Sequence, residues 1–232
     1  AARTDNGVGV ASISWNVKLM ATSAANSDSG DAIERGLQTV IYLAQNGADI
    51  INMSWGSEAY SRVQQDVMEY AQALGSLLVS SAGNESSDEL HYPSSLPGVV
   101  SVASVGSTDR LALYSNRGLG VDIAAPGGGG LRGLLSTTPS GYGSKQGTSM
   151  ASPIVAGVLA LVKSQHPGWT NDRLVEQVLG TALLIDDINP EYSGQIGSGR
   201  VDAANAVTGV PSTATPELQL LIEDVTVNDA TG

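Results

Sequence analysis

The chain has 232 residues, 41% of them hydrophobic and 15% charged, enough apolar material for a packed core and too much for a disordered segment. Its formal net charge of -12 argues against a nucleic-acid partner, which calls for a basic face. There is no cysteine, so disulfides and thiolate metal sites are excluded, and no apolar run reaches the ~18 residues of a membrane-crossing helix, so no membrane partner is expected.

The opening AARTDNGVGV is not a signal peptide. Residues 30–46 set Ile33, Leu37, Val40, Ile41 and Ala44 on one helical face, with Gly47 as a stop. DIINMSW follows as a short buried strand. A second helix is expected after a cap at Ser57, burying Val63, Val67, Tyr70, Ala71 and Leu74 and closing at Gly75. SLLVSSAGN and VVSVASV, residues 99–105, read as further apolar strands, with a polar loop containing His91 between them. This strand–helix–strand rhythm predicts an α/β fold with a mostly parallel sheet and right-handed crossovers.

Residues 111–146 alternate short apolar runs with Gly, Pro and Ser, and Gly127–Gly130 reads as a surface loop, since no Lys-Ser/Thr pair follows to make a phosphate cradle. GTSMASPIVAGVLAL then opens a helix at Ser149 that runs to about Gln165, with Pro153 expected among first-turn positions whose amides lack partners anyway. Thr170 caps another helix, and DAANAV is a last short one. PSTATPE at 211–217 has linker composition and LQLLIEDVTV looks like a strand, which divides the chain into a domain at 1–209 and a linker with the start of a β-rich module at 210–232.

Ser149 in the first turn of a helix has two readings. It is an N-cap, or it is a nucleophile whose oxyanion forms against the free amides of the helix terminus. The second reading requires a further oxyanion donor and a base. Ligands gather outside the carboxyl ends of parallel strands, where Ser54, Trp55 and Gly56 end one strand and Gly83 and Asn84 another. Asn84 alone reads as a turn former or as an amide donor.

Three segments in this order, INMSWGS, SSAGN and GTSMASPIVAG, resemble the subtilisin-like serine proteases. The resemblance continues through HYPSSLPGVVSVAS, SNRGLGVDIAAPG and HPGWTNDRLVEQVL and covers roughly residues 5–208. It implies a three-layer α/β subtilisin-like fold, truncated at its N-terminus, and an endopeptidase acting on peptides or proteins through an acyl-enzyme. By the same resemblance Ser149 is the nucleophile and Asn84 the oxyanion donor. Ser54, Trp55, Gly56, Ser81, Ala82 and Gly83 form pocket walls, the first three pairing with substrate as an added strand. Other serine motifs fail on spacing: residues 147–151 are not G-x-S-x-G, and Ser152, not Lys, stands three after Ser149. The related sedolisins carry Asp where Asn84 stands.

The base is missing. Of two histidines, His166 lies at the far end of the helix from Ser149, some ~25 Å away at ~1.5 Å per residue. His91 corresponds to a position at the base of the substrate pocket, where it shapes the pocket or serves as a loop residue. The family's catalytic Asp and His precede the segment matching Ala1, the His within H-G-T-x-V-A-G. A complete enzyme therefore implies an upstream fragment as partner; the competing expectation is a peptide-binding pseudo-protease. Catalysis implies no cofactor. Thr4, Asn6, Val8 and Val10 match oxygen-donating positions of a family calcium loop, with a metal-free glycine-rich turn as the alternative. Family habits imply a secreted or cell-envelope location.

Overall fold

The computed structural model describes residues 2, 4–7, 9–25, 33, 35–130 and 133–209. The expected linker and β-rich start at 210–232, and Val8, lie outside the described residues.

Four short strands, β1 (Ile50–Met53), β2 (Leu77–Ser81), β3 (Val99–Val105) and β4 (Ile123–Pro126), form a parallel sheet in sequential order. Leu78 of β2 stands between Ile51 of β1 and Val99 of β3, and Val102 of β3 pairs with Ile123 of β4. β2 and β3 are buried along their whole length, as their unbroken apolar runs require of strands covered on both faces.

Alternation along each strand gives the sheet two packed faces. On one face Val79, Val100, Val102 and Ile123 pack with Val155, Leu159 and Val162 of α3 (Thr148–Gln165) and Leu174 and Val178 of α4 (Asn171–Gly180). On the other, Ile51, Met53, Leu78 and Val99 meet Val40 and Ala44 of α1 (Gly36–Gln45) and Met68 and Ala71 of α2 (Arg62–Ala73). The result is the predicted three-layer α/β arrangement. α3 runs across all four strands, so its first turn is delivered to the edge where β1 and β2 end. The amino-terminal segment is tied to the same helix, with Ser14 Oγ donating to Gly157 O at 2.6 Å.

Of the sheet connections only β1–β2 holds a helix; the polar segment after β2 is the expected loop, and residues 111–146 form strands and loops as their composition indicates, ending in an antiparallel hairpin of β5 (Leu134–Thr138) and β6 (Gly141–Lys145) before α3. Several local expectations differ from the structure. α2 is capped by Ser61, whose side chain accepts from Gln64 N, and not by Ser57, which exchanges two backbone hydrogen bonds with Tyr92 instead. Its buried face is Gln64, Met68 and Ala71; of the expected face Ala71 is buried and Val67 packs against the core, whereas Val63, Tyr70 and Leu74 are exposed. Ile33 is likewise exposed, and α1 begins only at Gly36 among the described residues. The cap at Thr170 is as the sequence indicates, accepting from Arg173 N, and the expected last short helix is α5 (Ala203–Thr208), which Asp202 precedes as a cap accepting from Asn205 N. Among the described residues no helix is long and apolar enough to cross a membrane.

Candidate active site

Three strand ends and one helix terminus converge. α3 starts at Thr148 behind Gly147, whose φ of +152° and ψ of 160° belong to a backbone region that only glycine adopts readily. Gly147 N donates to Gly127 O at 2.9 Å, and a Cβ at Gly127 would meet Gly147 O at 2.6 Å and Ser104 Oγ. Gly127 and Gly128 are therefore buried packing positions and not the surface loop expected from composition. The Tyr114 hydroxyl lies 3.0 Å from Gly127 O, 2.6 Å from Gly128 O and 2.7 Å from Ser104 Oγ, fixing this turn beneath the helix start. Burial pushes the Tyr114 phenol above its ordinary range, so it stays protonated and able to donate.

Ser149 is the second residue of α3 and is not its N-cap. Its hydroxyl donates to Ser54 O at 3.3 Å, away from the first-turn amides, and no histidine lies against it among the described residues. Pro153 sits in the second turn, past the positions where a proline is free of cost, and leaves Ser149 O without its i+4 amide. Ser54 Oγ replaces that donor at 3.0 Å. Ser54 Oγ also accepts from Asn52 Nδ2 at 3.0 Å and contacts the buried Ser152 Oγ at 3.2 Å.

Asn84 reaches the same terminus from the end of β2. Its Oδ1 accepts from Thr148 N at 2.9 Å and lies 3.0 Å from Thr148 Oγ1. A backbone N–H can only donate, so this contact assigns Oδ1 to Thr148 and turns the Nδ2 group of exposed Asn84 away from it. Asn116, 2% exposed, clamps the loop from below: its Oδ1 takes Glu85 N and Ser87 N at 2.9 and 3.1 Å, and its Nδ2 donates to Glu85 Oε2 at 2.8 Å. Asn116 is a positioning residue that sequence reasoning missed, because its partners lie about thirty residues away along the chain.

The two expected wall segments face each other across His91. Ser81, Ala82 and Gly83 are buried; Ala82 N donates to Val102 O, while Gly83 O accepts from Asn116 N at 3.0 Å. Ser54 and Trp55 are half-buried and Gly56 exposed, and the Trp55 ring lies against Gly36, where a Cβ would meet Trp55 Cζ2 at 2.9 Å. A surface depression beside them is lined by Ile33, Leu37, Trp55, Gly56 and Gln64. Gln64 Oε1 is buried there without a partner, a second functional candidate that the apolar pattern of α2 hid. Burial lowers the His91 imidazole below its ordinary range against the opposing pull of Glu85 and Glu58, so the ring is neutral.

His166 caps α3 at its C-terminal end and stacks on Trp169 with ring centroids 3.8 Å apart, far from Ser149. Around the expected calcium loop, Thr4 Oγ1 accepts from Ser12 N at 3.2 Å and donates to Ala2 O at 3.4 Å, closing the turn on itself. Asn6 is exposed and Val10 half-buried, and among the described residues no three His, Cys, Asp or Glu side chains group in a way that could hold a metal.

The site thus combines a helix crossing a parallel sheet, a serine in its first turn and an asparagine from a neighbouring strand end bound to that turn. The Subtilase family matches residues 1–213, and the chain belongs to that family. It is 35% identical over 209 residues to a thermophilic serine proteinase of Bacillus sp. (strain AK1), covering 90% of this chain and 50% of that protein. It is 36% identical to alkaline elastase YaB of Bacillus sp. (strain YaB), over 88% of this chain and 52% of that one. The halolysin-like extracellular serine protease Nep of Natrialba magadii is 37% identical, with 90% and 37% covered. The chain thus spans about half the length, or less, of these relatives. Among solved structures, a protease from Pseudoalteromonas arctica PAMC 21717 superposes with a TM-score of 0.68 at 37% identity, over 75% of this chain and 57% of that one. A lanthipeptide protease gives a TM-score of 0.68 at 26% identity, over 80% and 68%.

Proposed function

We propose that this chain is the nucleophile-bearing part of a serine endopeptidase. The observation that carries the reading is the Asn84 Oδ1–Thr148 N bond, which fixes the Asn84 carboxamide at the end of β2 beside the helix turn holding Ser149, with its Nδ2 group facing away from Thr148. A base takes the Ser149 Oγ proton as Oγ attacks the substrate carbonyl. The electron pair moves to the carbonyl oxygen, which receives hydrogen bonds from Asn84 Nδ2 and Ser149 N, favoured by the positive end of α3. Collapse expels the amine, which takes the proton from the base, and water then releases the acyl group from Ser149 by the reverse sequence.

Ser54, Trp55 and Gly56 form one wall and offer backbone to the substrate as an added strand; Ser81, Ala82 and Gly83 form the other, and His91 closes the space between them. The base and its orienting carboxylate are contributed by a segment upstream of Ala1. The subtilase reaction needs no cofactor. A calcium ion on Thr4, Asn6, Val8 and Val10 would have a structural role only: these neutral oxygens make a partial shell for an ion that takes about six to eight ligands. Export is part of the proposal, in keeping with the extracellular relative from Natrialba magadii.

The alternative is a peptide-binding relative without catalysis. It is favoured by the Ser149 hydroxyl, which donates to a carbonyl and not to a base. Extending the protein upstream by its encoded residues and treating it with a fluorophosphonate separates the two. Labelling at Ser149, lost in Ser149→Ala, is expected. Asn84→Ala should slow turnover by about 10²–10³, the magnitude set by one oxyanion donor in a subtilisin. An extended protein that takes no label, or upstream residues without an Asp and a His, leaves the binding module.

A further inference from the structure

Asn84 is held from two sides, and only one of them is α3. The chain from Gly83 to Ser87 runs past the end of β2, and its backbone is bound largely by residues 114–117. Gly83 O accepts from Asn116 N at 3.0 Å, Ser86 N donates to Tyr114 O at 2.9 Å, and Arg117 N donates to Ser87 O at 2.9 Å. Ser115 fixes that second segment to the sheet, its Oγ accepting from Ser104 N of β3 at 2.9 Å and donating to Asn116 O at 2.9 Å.

Among the described residues no hydrogen bond joins Asn84 directly to 114–117. Its backbone N donates instead to the side chain of the next residue, at Glu85 Oε2, over 2.8 Å. Asn116 Nδ2 donates to the same oxygen at 2.8 Å, while Asn116 Oδ1 accepts from Glu85 N at 2.9 Å. The buried asparagine therefore holds Glu85 by main chain and side chain together, and Glu85 holds Asn84. Gly83 must be glycine for this to fit: its φ is +107°, and a Cβ there would collide with Asn116 Nδ2 and lie 2.5 Å from Glu85 Oε2.

We propose that the Glu85–Asn116 pair sets the direction of the Asn84 carboxamide and thereby how well its Nδ2 group meets the oxyanion. The inference rests on the serine-protease reading. Both are positioning residues, acting only through Asn84. Thr148 N fixes the Asn84 amide oxygen, and the Glu85 carboxylate fixes the Asn84 main chain. With both held, the direction of Nδ2 is set before substrate arrives. An oxyanion donor works by standing ready where charge develops, and a displacement of about 1 Å costs up to about 10²-fold in rate.

The test treats the upstream-extended protein with a fluorophosphonate, whose phosphoryl oxygen stands in for the oxyanion, and reads the rate of labelling at Ser149 by intact mass. Glu85→Ala and Asn116→Ala are each made in the wild type and in Asn84→Ala. In the wild type each should slow labelling by about tenfold, a part of the ~10²–10³ set by the donor itself. In Asn84→Ala neither should change the rate by more than about twofold, since no donor is left to misplace. Glu85→Gln keeps an acceptor oxygen for Asn84 N and should recover most of the loss seen in Glu85→Ala. Equal losses in both backgrounds, an unchanged rate in the wild type, or a Glu85→Gln no better than Glu85→Ala overturns the pair's role and leaves the protease reading intact. A wild type that takes no label overturns both. Should Asn116→Ala not fold, Glu85→Ala still decides, because Glu85 is exposed and its replacement removes only the two bonds to Oε2.

Discussion

Ser54 and Pro153 are complementary: the proline removes the amide that would bond Ser149 O, and the Ser54 hydroxyl donates to that oxygen at 3.0 Å. The second turn of α3 is thus completed by a residue of the strand end that it packs against. The same contact ties the backbone of Ser149 to the Ser54–Gly56 segment.

Ser54→Ala should therefore destabilise the fold by about 1 kcal/mol, the net worth of one hydrogen bond to a partly buried carbonyl. Pro153→Ala restores an amide donor, so in that background the Ser54→Ala cost should shrink to under about half. Chemical denaturation of the four proteins in this double-mutant cycle measures the coupling. Additive effects would show that Ser54 does not substitute for the missing helical bond.

Gln64 buries Oε1 without a partner while the rest of its face, Met68 and Ala71, is apolar. Gln64→Leu keeps the volume and removes the unpaired oxygen, so it should stabilise the protein by about 1 kcal/mol. In a domain of this size that is a rise in Tm of about 2–4 °C, read in a thermal melt. A lower Tm would mean that the amide is satisfied in solution by water or substrate-side groups.

His91 predicts a pH effect with a definite sign. Its folded-state pKa lies below the ordinary 6.5 because burial disfavours the imidazolium, and Glu85 and Glu58 only partly oppose this. Below 6.5 the unfolded chain takes up a proton that the folded one refuses, so stability falls as pH drops until the folded pKa is passed, then levels off. His91→Gln should flatten the stability-against-pH slope just below 6.5, as measured by urea midpoints at closely spaced pH. An unchanged slope would place the titration elsewhere.

Much of the architecture is legible from local pattern. The apolar runs at 77–81 and 99–105 mark doubly covered strands, and Thr170 and Asp202 mark helix starts, because each signal acts within one turn or one strand. The resemblance around Gly147, Thr148 and Ser149 points to the family that the comparisons show. α2 is where pattern misleads: Ser57 has the chemistry of a cap but Ser61 serves as one, and of the stripe Val63, Val67, Tyr70, Ala71 and Leu74 only Ala71 is fully buried, beside Gln64 and Met68. The bridge between Ser57 and Tyr92 commits the first serine, and α2 rotates to set Ala71 and Met68 against the sheet.

From its sequence alone the chain determines the doubly covered strands at 77–81 and 99–105 and the helix capped at Thr170, since strand pattern and that cap are settled within a few residues. Tertiary structure alone decides that Ser54 completes the helix that Pro153 interrupts, across 95 residues, and that His91 stands between Gly56 and Gly83. The physical reason is range. A hydrogen-bonding vacancy or a gap of one ring's width is local to space, and the residues that fill it have no periodic relation along the chain.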